Sequence, residues 1–276
     1  MFRNEIRTQL NHKAAVHNAA QTGCAPMVYV AQDFCKGQPI EDPALVKKLL
    51  ELSDSKTEHL PGLLPLISGM PVILTQNIAI ELGLINGVTG IFRQLVYQSD
   101  SVSTDELTKI FPNSTQYVRK PLYALVEISK SKIECNLEKL QSKLVPIPIM
   151  EQTFRVNIAD ILPKCNRKSK LNGKTMLSIK RRTLPLVPVY SITTHKSQGQ
   201  TLNKVVIDLK LPNETDDIAA VYVPLSRVKR LADLIILRHF DYKVLLIKPN
   251  KSQVAEMERL DKLYIDTQKR FSEWFQ

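Results

Sequence analysis

Apolar positions recur along this chain in two rhythms, one helical and one of strand length. Near the start Ile6, Leu10, Ala14 and Val16 lie roughly on one face, with Arg7, Asn11 and Lys13 elsewhere, which predicts a helix over 4–20. Gly23 stops it, and Met27-Val28-Tyr29-Val30-Ala31 follows as a strand. A second helix is predicted over 41–52, where Asp42-Pro43 fits a helix start. The polar run Ser53-Asp54-Ser55-Lys56-Thr57-Glu58 reads as a linker and a domain boundary.

The middle of the chain has mostly β character. Pro71–Asn77 and Val88–Tyr97 read as strands, and Asn86-Gly87 between them supplies the left-handed conformation of a tight turn. Residues 99–120 are polar and uneven, with one helical turn expected around Thr104–Ile110. Further strands are expected at Tyr123–Ile128 and Ile147–Val156, with 130–145 a helix or loop. Beyond residue 185 the pattern returns to α/β. Val205–Leu209 and Leu234–Leu237 read as buried strands, Val244–Ile247 as a short one, and Ser252–Phe275 as a long amphipathic helix. Met257, Leu260, Leu263 and Ile265 are expected to face the body of the protein, with Trp274 and Phe275 anchoring the helix end. The expected organisation is one α/β domain made of residues 1–55 and 186–276, interrupted by a mostly β insert over 56–185.

Between two apolar runs lies the densest polar stretch, Tyr190-Ser191-Ile192-Thr193-Thr194-His195-Lys196-Ser197-Gln198-Gly199-Gln200-Thr201-Leu202. It can offer hydroxyls, an imidazole, an ammonium and backbone N–H groups to one anion, for which phosphate is the natural candidate. The same residues also read as a capped helix with a solvated face.

Composition narrows the partners. The 276 residues carry 38 Lys and Arg against 27 acids, a net charge of +11 that suits a polyanion without naming one. Eight of the basic residues fall between 164 and 182 with no acid among them: Lys164, Arg167, Lys168, Lys170, Lys174, Lys180, Arg181 and Arg182. With no aromatic residue to stack a base on, this stretch suits sequence-neutral phosphate contact, or equally a solvated loop or hairpin tip. Cys24, Cys35, Cys135 and Cys165 form no C-x-x-C pair and no zinc spacing with the histidines, so reduced, mostly buried thiols are expected. No run approaches the ~18 apolar residues of a membrane helix, so no membrane partner is expected. Gly173-Lys174-Thr175 imitates the end of a P-loop, but Lys168 stands where its first glycine belongs and no buried strand precedes it. Asp208 has no second acid beside it and is read as structural, and no metal site is expected.

Two segments resemble motifs of a known family, in the right order and spacing. The stretch Tyr190–Leu202 resembles motif V of the Pif/RecD-type DNA helicases of superfamily one, and Val221-Tyr222-Val223-Pro224-Leu225-Ser226-Arg227-Val228 resembles motif VI. The glycine-punctuated stretch from Leu60 to Phe92 resembles the opening of the family's small Src-homology-like barrel insert. The resemblance implies a second RecA-like helicase domain carrying that insert. It implies that Arg227 reaches the γ-phosphate of ATP, its planar charged fork meeting the developing charge. Thr194, His195, Lys196 and Ser197 would face single-stranded DNA, together with Lys180, Arg181 and Arg182. Gln198 and Gly199 would connect that contact to the nucleotide cleft. Arg3 and Arg7 on the first helix resemble motif IV and would lie near the nucleotide. Position 224 departs from the family pattern, which has Ala there; a proline inside a helix costs ~3 kcal/mol.

The 276 residues hold no Walker A segment and no Asp-Glu pair at a strand end. ATP and magnesium are therefore expected only if the N-terminal half of such a helicase is supplied. Three readings stay open: the C-terminal portion of a helicase, a stand-alone DNA-binding module, or a partner that docks on an intact helicase. The expected compartment is intracellular, nuclear first and mitochondrial second.

Overall fold

A computed structural model of the chain describes residues 4–53, 56–103, 111–112, 114–129, 131–133, 140–141, 143–157, 176–211 and 218–274. They fall into two compact units, one within residues 4–192 and one within 193–274.

In the larger unit the helix Asn4–Thr22 ends as expected before Gly23, where the Cys24 N–H reaches back to the Ala19 carbonyl at 3.1 Å. Asp42 caps the helix Pro43–Leu50 by accepting from the Leu45 N–H at 2.9 Å, with Pro43 in the first turn. Three sheets follow. In the first, Met27–Val30 lies between Leu63–Leu66, antiparallel, and Gln116–Val118, parallel, with Val102–Ser103 outermost. The second is antiparallel throughout, in the order 144–148, 121–127, 89–97, 71–74, 186–188. Gly87, at φ +94°, makes the tight turn that Asn86-Gly87 predicts. The third sheet pairs Met150–Asn157 with Met176–Thr183, and the latter with Gln32–Cys35, which pairs in turn with Gln38–Pro39. Ala15 and Ala19 of the first helix pack with Tyr29, Leu64, Val72, Phe92, Val126 and Leu186 in one core.

The smaller unit holds the parallel pair Val205–Ile207 and Leu234–Ile236, the helix Ile218–Leu225 and the 20-residue helix Lys251–Arg270. Ile207, Leu209 and Val221 form its core. Asn250 caps the last helix in a full capping box with Gln253.

The mixed α/β class and most predicted elements are present, but several expectations need correction. Met27–Val30 and Val205–Ile207 lie in different sheets, so the two ends of the chain do not share one. Strands of the middle region also pair beyond it: Met176–Thr183 pairs with Gln32–Cys35, and Leu186–Pro188 completes the antiparallel sheet. Ile147–Val156 is two strands that break at Ile149. Tyr242–Leu246 is a 3-10 turn rather than a strand, started by Asp241, whose carboxylate accepts from the Lys243 N–H. The last helix buries none of its residues: Met257, Leu260, Leu263 and Ile265 are all exposed, and Trp274 stacks only near Phe271. Cys24 is an exposed free thiol and Cys35 a half-buried one. The helical turn expected at 104–110, most of 130–145, Cys135, Cys165 and Phe275 lie outside the described residues. Among the described residues no helix is long and apolar enough to cross a membrane.

Candidate nucleic-acid and nucleotide interface

In the smaller unit the polar stretch folds into a single helical turn, Thr194–Ser197. Gly199 follows at φ +75°, a backbone conformation open to glycine, and reverses the chain toward the strand at Val205. Thr193, Thr194 and Ser197 are buried, and the Ser197 hydroxyl donates to the Thr194 carbonyl at 2.7 Å. Thr194 and Ser197 therefore face inward and hold the turn rather than meet a phosphate, which corrects their expected place among the DNA contacts. The Thr194 hydroxyl is itself buried without a hydrogen-bond partner among the described residues. Lys196 is half-buried, and Gln198 and Gly199 are exposed. His195 lies within the turn.

The segment carrying Arg227 meets this turn directly. The Leu202 N–H donates to the Arg227 carbonyl at 2.8 Å. The Arg227 guanidinium is spread over four acceptors: Nε donates to the Val223 carbonyl (2.9 Å), Nη2 to the Ser226 hydroxyl (2.7 Å), and Nη1 to the carbonyls of Ser197 (3.4 Å) and Gln200 (3.3 Å). Pro224 sits in the last turn of the helix Ile218–Leu225, where the missing N–H affects only the end of the hydrogen-bond ladder. Asp208 is structural, as read: both its oxygens accept from Arg238, at 2.9 and 2.6 Å, and that ion pair holds its carboxyl below the usual range.

The other candidates belong to the larger unit. Strand alternation divides Lys180, Arg181 and Arg182. Lys180 and Arg182 are on the solvent face, and both pair with Glu151, whose carboxyl is held low chiefly by Lys180. Arg181 points the other way and is 0% exposed. Its Nε and Nη2 each lie 2.7 Å from an oxygen of Asp33, Nη2 and Nη1 reach the Leu49 and Leu60 carbonyls, and the guanidinium lies over the Phe154 ring. Arg181 is a core ion pair and not a DNA contact. The signal was present in the sequence: Leu177 and Ile179 mark the inner face by their period of two, and Arg181 shares it.

Arg7 is 3% exposed, in the wall of a cavity of about 550 Å³ that His12, Lys47 and Lys56 also line. Arg3 and the basic residues from Lys164 to Lys174 lie outside the described residues. The sequence reading missed Asn11, a buried side chain that donates to the Pro188 and Ser191 carbonyls and accepts from the Ser191 N–H at 2.7 Å. It fastens the first helix to the segment that leads into the polar stretch.

Among the described residues no cluster of three or more metal-ligating side chains exists, and the nucleotide candidates include no carboxylate pair.

Comparisons with known proteins find similarity to the Pif1 helicases. The ATP-dependent DNA helicase PIF1 of Candida albicans is 36% identical over 112 residues, 41% of this chain and 10% of that protein. The PIF1 helicase of Emericella nidulans is 36% identical over 78 residues, 28% of this chain and 10% of its own. The crystal structure of Candida albicans Pif1 matches 92% of this chain and 48% of its own at 22% identity and a TM-score of 0.50. Bacteroides Pif1 in complex with ADP-AlF3 and ssDNA matches 91% of this chain and 42% of its own at 17% identity and a TM-score of 0.51. No family model matches the chain. The chain thus resembles the Pif1 helicases in sequence and in fold, and it spans less than half of the solved relatives, in line with the C-terminal half that its two motifs imply.

Proposed function

We propose that the chain is the C-terminal portion of a Pif1-type ATP-dependent DNA helicase, contributing contacts to single-stranded DNA and an arginine finger. The observation that carries this reading is the junction of the turn Thr194–Ser197 with Arg227, through the Leu202–Arg227 backbone bond and the guanidinium. In such a motor one segment tracks the DNA backbone and the other meets ATP held by the P-loop domain of the N-terminal half. Lys196 and His195 take DNA phosphates, and Gln198 and Gly199 link them to the nucleotide side. Solved Bacteroides Pif1 structures hold single-stranded DNA, which supports the same ligand here. The test is the affinity of the 276-residue chain for an oligothymidylate across salt concentrations. The reading expects sequence-neutral binding whose log affinity falls with log salt at roughly −0.7 per phosphate contact. Affinity indifferent to salt contradicts it.

A further inference from the structure

We infer that Arg227 is a positioning residue for the DNA-contacting turn, in addition to its role toward nucleotide. This rests on the reading of Lys196 and His195 in that turn as DNA contacts. One helical turn of four residues is unstable by itself, because nucleation fixes several residues for very few hydrogen bonds. It also leaves its last carbonyls without helical partners. The Ser197 carbonyl, which also accepts from the Gln200 N–H at 3.1 Å, and the carbonyl of Gln200, just past Gly199, are the two groups that Nη1 of Arg227 holds, at 3.4 and 3.3 Å. The guanidinium is fixed in turn by Nε on the Val223 carbonyl at 2.9 Å and by Nη2 on the Ser226 hydroxyl at 2.7 Å. A rigid planar fork so held sets where the turn sits, and with it Lys196, whose carbonyl is also tied to the Gln200 side chain at 2.9 Å.

The arrangement carries a consequence for coupling. A guanidinium has five N–H donors, and here Nε, Nη1 and Nη2 are all engaged within the protein. A phosphate that drew Nη1 would release the Ser197 and Gln200 carbonyls. A phosphate that takes both Nη1 N–H groups, and not only the Nη2 N–H left over, loosens the grip on DNA through this residue.

The test measures oligothymidylate affinity of the full 276-residue chain without nucleotide, for the wild type, Lys196→Ala, Arg227→Ala, Arg227→Lys and the double variant Lys196→Ala/Arg227→Ala. The expected result is a loss on the order of fivefold for each Ala variant, the scale of one exposed charge contact. The double variant loses no more than either single, and the salt slope drops by roughly 0.7 once, not twice. Arg227→Lys, which keeps the charge but not the fork, falls between wild type and Arg227→Ala, and it serves as the folded control if Arg227→Ala melts early. If Lys196→Ala weakens binding while both Arg227 variants bind as wild type, the positioning role is overturned and the DNA reading stands. Multiplying losses with a second drop in slope make Arg227 an independent phosphate contact and also overturn it. If Lys196→Ala changes nothing, the reading of the turn itself fails.

Discussion

Arg181 and Asp33 face each other across neighbouring strands, fully buried, with two N–O distances of 2.7 Å. Because Met176–Thr183 pairs with both Met150–Asn157 and Gln32–Cys35, this ion pair fastens the third sheet at its centre. Removing one member leaves a charge buried without its partner, which costs about 3–5 kcal/mol. Arg181→Met is expected to lower the unfolding free energy from urea titration by that amount, and Asp33→Leu/Arg181→Met to recover most of it. A single variant as stable as wild type contradicts the structural role.

Glu151 neutralises both solvent-facing cations of the same strand, Lys180 and Arg182. If that face meets DNA backbone, Glu151→Gln releases the cations and tightens single-stranded DNA binding, by about two- to fivefold at low salt and less as salt rises. Unchanged affinity at every salt concentration removes Lys180 and Arg182 from the DNA surface.

Asp208 is held below the usual carboxylate pKa, first by its paired hydrogen bonds from Arg238. A folded-state pKa below the unfolded value of about 3.9 means the stabilisation is full above that pH and is lost as pH falls through the folded value. Asp208→Asn is expected to cost up to about 1 kcal/mol near neutrality, since the pair is partly solvated. In thermal melts the two curves should converge as pH falls through the folded value. A gap that persists in acid contradicts the assignment.

Pro224 withholds an N–H from the last turn of its helix. Pro224→Ala restores it and is expected to stabilise the smaller unit by about 1 kcal/mol, a fraction of the ~3 kcal/mol of a mid-helix proline. Single-stranded DNA binding should be retained. Calorimetry that shows destabilisation indicates that the proline shapes the seat of Arg227.

Much of this was legible in the chain itself. Asp42-Pro43 announced a helix start, Asn86-Gly87 a turn, and the apolar runs at 27, 71, 89, 121, 205 and 234 are strands. Strand pairing was not legible, because a short apolar run carries no label for its partner; the runs at Met27 and Val205 therefore look alike and lie in different sheets. Charge misled at Arg181, where a cation in a basic stretch looks solvated unless the alternation is followed into it. Within the candidate site, Gly199 and the polar run gave the turn. Its inner face, made by Thr194 and Ser197, was not visible, because a four-residue helix shows no periodicity. The Ser197 and Gln200 carbonyls that Arg227 holds lie 30 and 27 residues away, and no local pattern encodes them.

The proposed role gives this chain the DNA contact and the finger of a motor whose nucleotide pocket lies in the other half. Phosphate release is the direct measurement, with single-stranded DNA present, for the purified chain alone and mixed with or fused to a Pif1 N-terminal half carrying the P-loop. The account predicts no release above an Arg227→Ala control for the chain alone. It predicts DNA-stimulated release once the other half is present, reduced on the order of 10³-fold or more by Arg227→Ala, the usual loss when an arginine finger is removed. Release by the chain alone that Arg227→Ala abolishes, or a reconstituted motor indifferent to Arg227→Ala, would contradict it.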